Sequence, residues 1–161
     1  MLDDVVVDTN VILHSRNPNE RRFVDSVRFI EMLLNGAVKL CIDEGFHPEE
    51  FQNQSLIGGE YLDQMHPGSP SYAVIVELAN SGRIKIVAKR VPPAVGKRIL
   101  RCVPRNPRDR TFVKVAFNSQ EHVLVSHDYE DFGTATRERI LTTIGVDIVE
   151  AFVCCSRLHP E

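Results

Sequence analysis

Long apolar runs are missing from this chain. None approaches the roughly 18 residues that a bilayer-crossing helix needs, so no membrane-spanning segment is expected. The acidic opening Met1-Leu2-Asp3-Asp4 leads straight into a predicted strand, which is not the pattern of a secretory signal. Cysteine is sparse. Cys41, Cys102, Cys154 and Cys155 lack zinc-type spacing, and adjacent cysteines such as Cys154 and Cys155 rarely bridge. Reduced thiols in a cytoplasmic protein are the expectation. Cys102 lies in a basic stretch and is expected as an incidental surface thiol with no general base beside it. Signatures of nucleophilic, nucleotide and zinc hydrolase sites are absent too: there is no Gly-x-Ser-x-Gly, no Gly-x-x-x-x-Gly-Lys and no His-Glu-x-x-His.

What is present suits one globular domain over residues 1–161, with 43% hydrophobic and 25% charged residues. A formal net charge of −3 argues against a generic nucleic-acid binder. The distribution of charge says more. Residues 83–114 hold eleven of the nineteen lysines and arginines, with Asp109 the one acid among them. A basic stripe beside acids suits an enzyme of phosphodiesters: the stripe holds a polyanion and the acids hold a cation. A solvated, flexible connection is the plainer alternative.

Apolar patterning predicts alternating strands and helices. Val5–Leu13 reads as a strand buried on both faces. Asn17-Pro18-Asn19-Glu20 reads as a helix start, and Asn35-Gly36 as its stop. Strands are predicted at 38–42, 84–87, 123–126 and 146–149. Helices are predicted from about Pro48, over 72–80, 94–102, 109–118 and 134–143, with broken helical fragments in 53–71. The alternation predicts an α/β fold with a central parallel sheet and helices on both faces.

In such a sheet Asp8, after Val5-Val6-Val7, and Asp128, after Val123-Leu124-Val125-Ser126-His127, emerge at one carboxyl edge, where open α/β sheets bind ligands. Converging carboxylates repel unless a cation lies between them, and a hard cation such as Mg²⁺ or Mn²⁺ prefers oxygen ligands. Asp8 has an Asx-turn or helix cap as its structural alternative. Asn10 suits either a turn or the orientation of metal-bound water. Asp109 opens an apolar helix, where aspartate is also a favoured cap. Asp131 lies with Asp128 in an acidic loop, and His127 reads as a loop residue. Glu50 has Asp43, Glu44, Glu49, Glu60 and Asp63 as rivals, and spacing alone does not choose among them.

Three segments together resemble the PIN-domain nuclease family. Val5-Val6-Val7-Asp8-Thr9-Asn10-Val11-Ile12-Leu13 is similar to its first strand and Asp-Thr-Asn signature. Asp109-Arg110-Thr111-Phe112-Val113-Lys114-Val115-Ala116 is similar to its Asp-x-x-Phe helix. Leu124-Val125-Ser126-His127-Asp128-Tyr129-Glu130-Asp131-Phe132 is similar to its strand ending in Ser/Thr-x-Asp. The resemblance implies a three-layer α/β/α sandwich and an acidic pocket for Mg²⁺ or Mn²⁺. It also implies cleavage of single-stranded RNA by metal-assisted hydrolysis. By position it implies catalytic and metal-holding roles for Asp8, Asp109 and Asp128, with Asp131 as an additional metal-holding aspartate. The family's glutamate lies on the helix after strand two, as Glu-Tyr or Glu-Phe, and Glu50-Phe51 is taken as its match. Asn10 and Ser126 would support the pocket, and Lys89, Arg90, Lys97, Arg98, Arg101, Arg105, Arg108 and Arg110 would hold the RNA. Residues 52–72 and 88–108 match no part of the family pattern. Small bacterial members are often homodimeric toxins with a cognate antitoxin; others are stand-alone RNA-processing nucleases. A catalytically silent module that binds RNA or a protein is the rival reading. A haloacid-dehalogenase phosphatase is disfavoured by Asn10, where that chemistry needs a second acid. A receiver domain is disfavoured because Asp3-Asp4 precede the strand.

Overall fold

A computed structural model describes residues 2–158. Five parallel strands form one sheet: β1 (Asp4–Val7), β2 (Lys39–Asp43), β3 (Ile84–Val87), β4 (Val123–Val125) and β5 (Asp147–Val149), in the order β3-β2-β1-β4-β5. Helices cover both faces, so the α/β sandwich expected from the alternation is present. Val5, Val6 and Val7 are fully buried, as a strand central to a covered parallel sheet requires. The chain runs outward from β1 to β2 and β3, then crosses back to β4 and β5 on the other side of β1. The β1/β4 boundary is therefore the topological switch point, where the two carboxyl ends leave a crevice.

Right-handed crossovers put the helices of the two halves on opposite faces. On one side α2 (Phe23–Asn35) packs against α4 (Pro70–Asn80) and the C-terminal α8 (Ala151–Leu158). On the other, α5 (Pro93–Cys102) packs against α6 (Pro107–Asn118) and α7 (Thr134–Ile144). The inward face of α6 carries Phe112, Val113, Val115 and Ala116, all essentially inaccessible. Burying a ring such as Phe112 contributes about 2–3 kcal/mol, which fixes this helix on β1, β2 and β4.

Several elements differ from the sequence expectation. The strand predicted over 5–13 stops at Val7, and Thr9–His14 is a short helix, α1. Asn17 accepts from the Asn19 amide at 3.2 Å in a local turn, and α2 begins only at Phe23. The helix expected from Pro48 is a single 3₁₀ turn, Glu50–Gln52. The fragments expected in 53–71 resolve into α3 (Leu56–Met65) and the start of α4, capped by the Ser55 and Ser69 hydroxyls. Cys102 is buried rather than a surface thiol, because α5 turns it into the core beside Ile99. All four cysteines are free and buried. Among the described residues no helix is long and apolar enough to cross a membrane.

Asp43, at the end of β2, is a structural carboxylate. It accepts from Ser55 Oγ at 2.6 Å, from the Leu56 and Ile57 amides at 2.8 and 2.9 Å, and from Lys89 Nζ at 3.3 Å. These bonds fasten the N-terminus of α3 to the sheet. Asp43→Ala leaves the amides without partners and is expected to cost about 2–4 kcal/mol, read as a lowered urea midpoint. An unchanged midpoint would make this anchor dispensable.

Candidate metal centre

Four elements meet at the β1/β4 switch point. Asp8 leaves β1 and its amide donates to Val125 O at 2.9 Å, stitching the ends of β1 and β4 together. Its Oδ2 accepts from Ser126 Oγ at 2.7 Å and from Asn10 Nδ2 at 2.8 Å. No hydrogen bond reaches Oδ1 among the described residues. Asn10 in turn accepts from the His127 amide at 3.0 Å, and Ser126 Oγ accepts from the Asp128 amide at 3.1 Å. Asn10 and Ser126 thus fix the Asp8 carboxylate and the loop that carries Asp128.

Asn106, not Asp109, caps α6: its Oδ1 accepts from the Arg108 and Asp109 amides. Asp109, one turn in, is free to turn its side chain to the site. Asn106 Nδ2 also donates to Asp131 Oδ2 at 3.3 Å, tying the acidic loop to the helix. The loop is braced by Asp128 Oδ1, which accepts from the Glu130 and Asp131 amides at 2.7 and 3.3 Å. Behind it Arg137 donates to the carbonyls of Ser126, Asp128, Phe132 and Ile148. Asp109, Asp128 and Asp131 each offer a carboxylate oxygen within 4.8 Å of the others, and this cluster can hold a metal ion. Asp8, Asp109 and Asp128 line one cavity of about 250 Å³ with Asn10, Asn106 and a further acid, Glu60.

Glu60 is the acid that sequence reasoning did not choose. It lies on α3, with Thr9 Oγ1 donating to its Oε1 at 3.4 Å. The next residue, the fully buried Tyr61, donates its hydroxyl to Val7 O at 2.5 Å and locks α3 to the end of β1. Glu50, the sequence's choice, is exposed on the 3₁₀ turn and does not line the acidic cavity. The physical reason is helix placement: the chain is too tightly turned at 44–54 to present Glu50, and the first full helical turns after β2 are those of α3. The signal lay in Ser55 as a cap, followed by inward Ile57, Tyr61 and Leu62. Accordingly, Glu60→Gln is expected to weaken Mn²⁺ binding about tenfold or more, whereas Glu50→Gln leaves it unchanged; parallel titrations of the two variants separate the assignments.

The electrostatics are those of an uncompensated acid cluster. Burial raises the Asp8 carboxyl to about 6, with the Asp128 charge adding to the rise against the lowering bonds from Ser126 and Asn10. Burial and then the Asp8 charge push Asp109 up to about 8, and Asp128 and Asp131 add to it. Glu60 is raised by burial and by Asp8. Asp109 Oδ2 and Glu60 Oε2 are buried with no hydrogen-bond partner among the described residues. Buried carboxylate oxygens normally find a donor. A divalent cation held by Asp109, Asp128 and Asp131 would partner the Asp109 carboxylate and reduce the repulsion, and an oxygen-only donor set of this kind fits a hard cation.

The basic stripe divides into two groups. Lys89 is committed to Asp43 and Glu44, and Arg110 donates to Val103 O and Pro104 O, so these two serve the fold. Arg98 reaches Thr143 O, and Arg108 pairs with Asp63 across 3.6 Å at the surface. Arg90, Lys97, Arg101 and Arg105 are exposed, without an ion-pair partner among the described residues. Arg105 and Arg108 are exposed on the segment that carries Asn106, which lines the acidic cavity.

His127 lies in the loop after β4, as expected, and has a structural role there. It is buried, its Nε2 accepts from the Ala151 amide at 3.2 Å, and its ring stacks on His14 with the two Nδ1 atoms 2.9 Å apart. Since Nε2 accepts, the proton sits on His127 Nδ1 and is donated to His14. In comparisons with known proteins, no family model, no curated protein and no solved structure matches this chain.

Proposed function

We propose that this chain is a divalent-metal-dependent endoribonuclease of the PIN-domain type, cleaving single-stranded RNA by hydrolysis. The observation that carries the reading is the meeting of Asp8, Glu60, Asp109 and Asp128 in one cavity at the β1/β4 switch point, with two buried acid oxygens left unpartnered. The three motif segments of the sequence supply the acids from β1, α6 and the loop after β4.

Asp109, Asp128 and Asp131, with Asp8 across the cavity, would hold Mg²⁺ or Mn²⁺. A cation held there would polarise a phosphoryl oxygen and lower the pKa of water. Asn10 and Ser126 keep Asp8 Oδ1 turned to the reaction. Glu60, with its raised affinity for a proton, is suited to accept one from the attacking water. Arg105 and Arg108 neutralise phosphates beside the scissile one.

The test is cleavage of an end-labelled single-stranded RNA in Mg²⁺ or Mn²⁺, with wild type beside Asp8→Asn and with EDTA. Cutting that needs metal and is lost in Asp8→Asn supports the reading. Equal cutting by the variant overturns the site, and salt-sensitive RNA binding without cutting by wild type points to a silent binding module.

A further inference from the structure

A second cavity is lined by the same loop that carries Asp128 into the acidic one. Its volume is about 540 Å³, and Arg21, Arg22, His127, Tyr129 and Glu150 line it. His127 and Tyr129 bracket Asp128 in sequence, so successive residues of one loop face two different cavities.

We propose that this second cavity is a nucleotide subsite in which Tyr129 stacks on a base next to the scissile phosphate and Arg21 holds that nucleotide's phosphate. The inference rests on the nuclease reading above and adds to it the route of the strand: from the acid cluster to the Arg21 margin of the second cavity.

Tyr129 is 44% exposed, a large ring left open beside an acid cluster. It is held in place rather than loose. The Arg137 guanidinium lies 4.1 Å from the ring centroid, and its other donors are spent on four carbonyls. Arg22 lies 5.4 Å from the centroid and is fixed by Glu150 at 2.8 Å. The two guanidinium groups over the ring hold it rigid, and the part left exposed offers a π-surface to a base, since every base offers a π-face. The one acid in the cavity wall, Glu150, is neutralised by Arg22, so the wall does not repel a polyanion. Arg21 is exposed at the rim with no ion-pair partner among the described residues, which leaves its charge for a phosphate.

The experiment measures binding of a fluorescent single-stranded RNA in Ca²⁺ by anisotropy, and its cleavage in Mn²⁺, for wild type, Tyr129→Ala, Tyr129→Phe and Arg21→Ala. Loss of one stacked base weakens binding on the order of tenfold. Tyr129→Ala is expected to show that loss, and Tyr129→Phe to restore wild-type binding. A strand with a single abasic position next to the cleavage site should weaken wild type by the same factor and leave Tyr129→Ala unaffected. Arg21→Ala should flatten the dependence of binding on salt. Wild-type affinity in Tyr129→Ala overturns the subsite, even where wild type cuts RNA. Binding that depends on Tyr129 without any cutting keeps the subsite and rejects the nuclease. A wild type that binds no RNA overturns both.

Discussion

Asp109→Asn is expected to abolish metal-dependent cleavage while making the metal-free protein more stable. The two effects share one cause. Asp109 is 5% exposed, its Oδ2 has no hydrogen-bond donor among the described residues, and Asp8, Asp128 and Asp131 surround it. Without a cation its charge is a cost of folding. The amide removes that charge at constant shape and brings donors to the neighbouring carboxylates, so the variant should gain about 1–2 kcal/mol in EDTA. With Mn²⁺ present the sign reverses, because the cluster has lost a charged oxygen ligand. Several kcal/mol of transition-state stabilisation lost corresponds to a rate lower on the order of 10³-fold. Thermal unfolding in EDTA and in Mn²⁺, beside an RNA-cleavage assay, reads both effects. A variant that is destabilised without metal, or that cuts RNA at the wild-type rate, contradicts the assignment.

In EDTA the wild type is expected to lose stability as pH rises from 6.5 to 8. Asp109 holds its proton up to about 8 in the folded protein but releases it near 3.8 when unfolded. A raised folded pKa gives stability that is full below the unfolded value and is lost as pH climbs through the folded one. Over this window the folded state carries the extra proton, and the loss totals about 1–2 kcal/mol. Below 6.5 the effect is masked. His127, driven down to about 4 by burial and by His14, must charge on unfolding there, so its contribution rises with pH while those of the acids fall. From pH 6.5 to about 7.5 the histidines still lose charge in the unfolded state and offset part of the loss, and above that both are neutral in either state. Metal binding releases the Asp109 proton, so Mn²⁺ should stabilise more at pH 8 than at pH 6.5. Urea midpoints at the two pH values, with and without Mn²⁺, test this; a midpoint in EDTA that rises with pH would contradict the buried-acid account.

The parts legible in the sequence are those with a local cause. Asp8 and Asp128 are marked by the apolar strands they follow, and Asp109 by the apolar helix whose first turn it occupies. The parallel sheet follows from the same alternation. Glu60 was not legible in this way, because its place depends on how α3 docks. That docking is set by Asp43 reaching Ser55 and by Tyr61 reaching Val7, contacts across 12 and 54 residues of chain. Thr9–His14 misled for a different reason: Val11, Ile12 and Leu13 are β-branched or apolar, and only burial against α2 and α3 makes them helical. The partition of the basic stripe was hidden as well, since Lys89 and Arg110 find their partners only in the folded chain.

Calorimetric titration of metal-free protein with Mn²⁺, beside Asp109→Asn, tests most directly whether the acid cluster holds a cation. Saturable binding by wild type, accompanied by proton release and weakened on the order of 100-fold in the variant, is the predicted result. No saturable binding by wild type, or equal binding by Asp109→Asn, would contradict it.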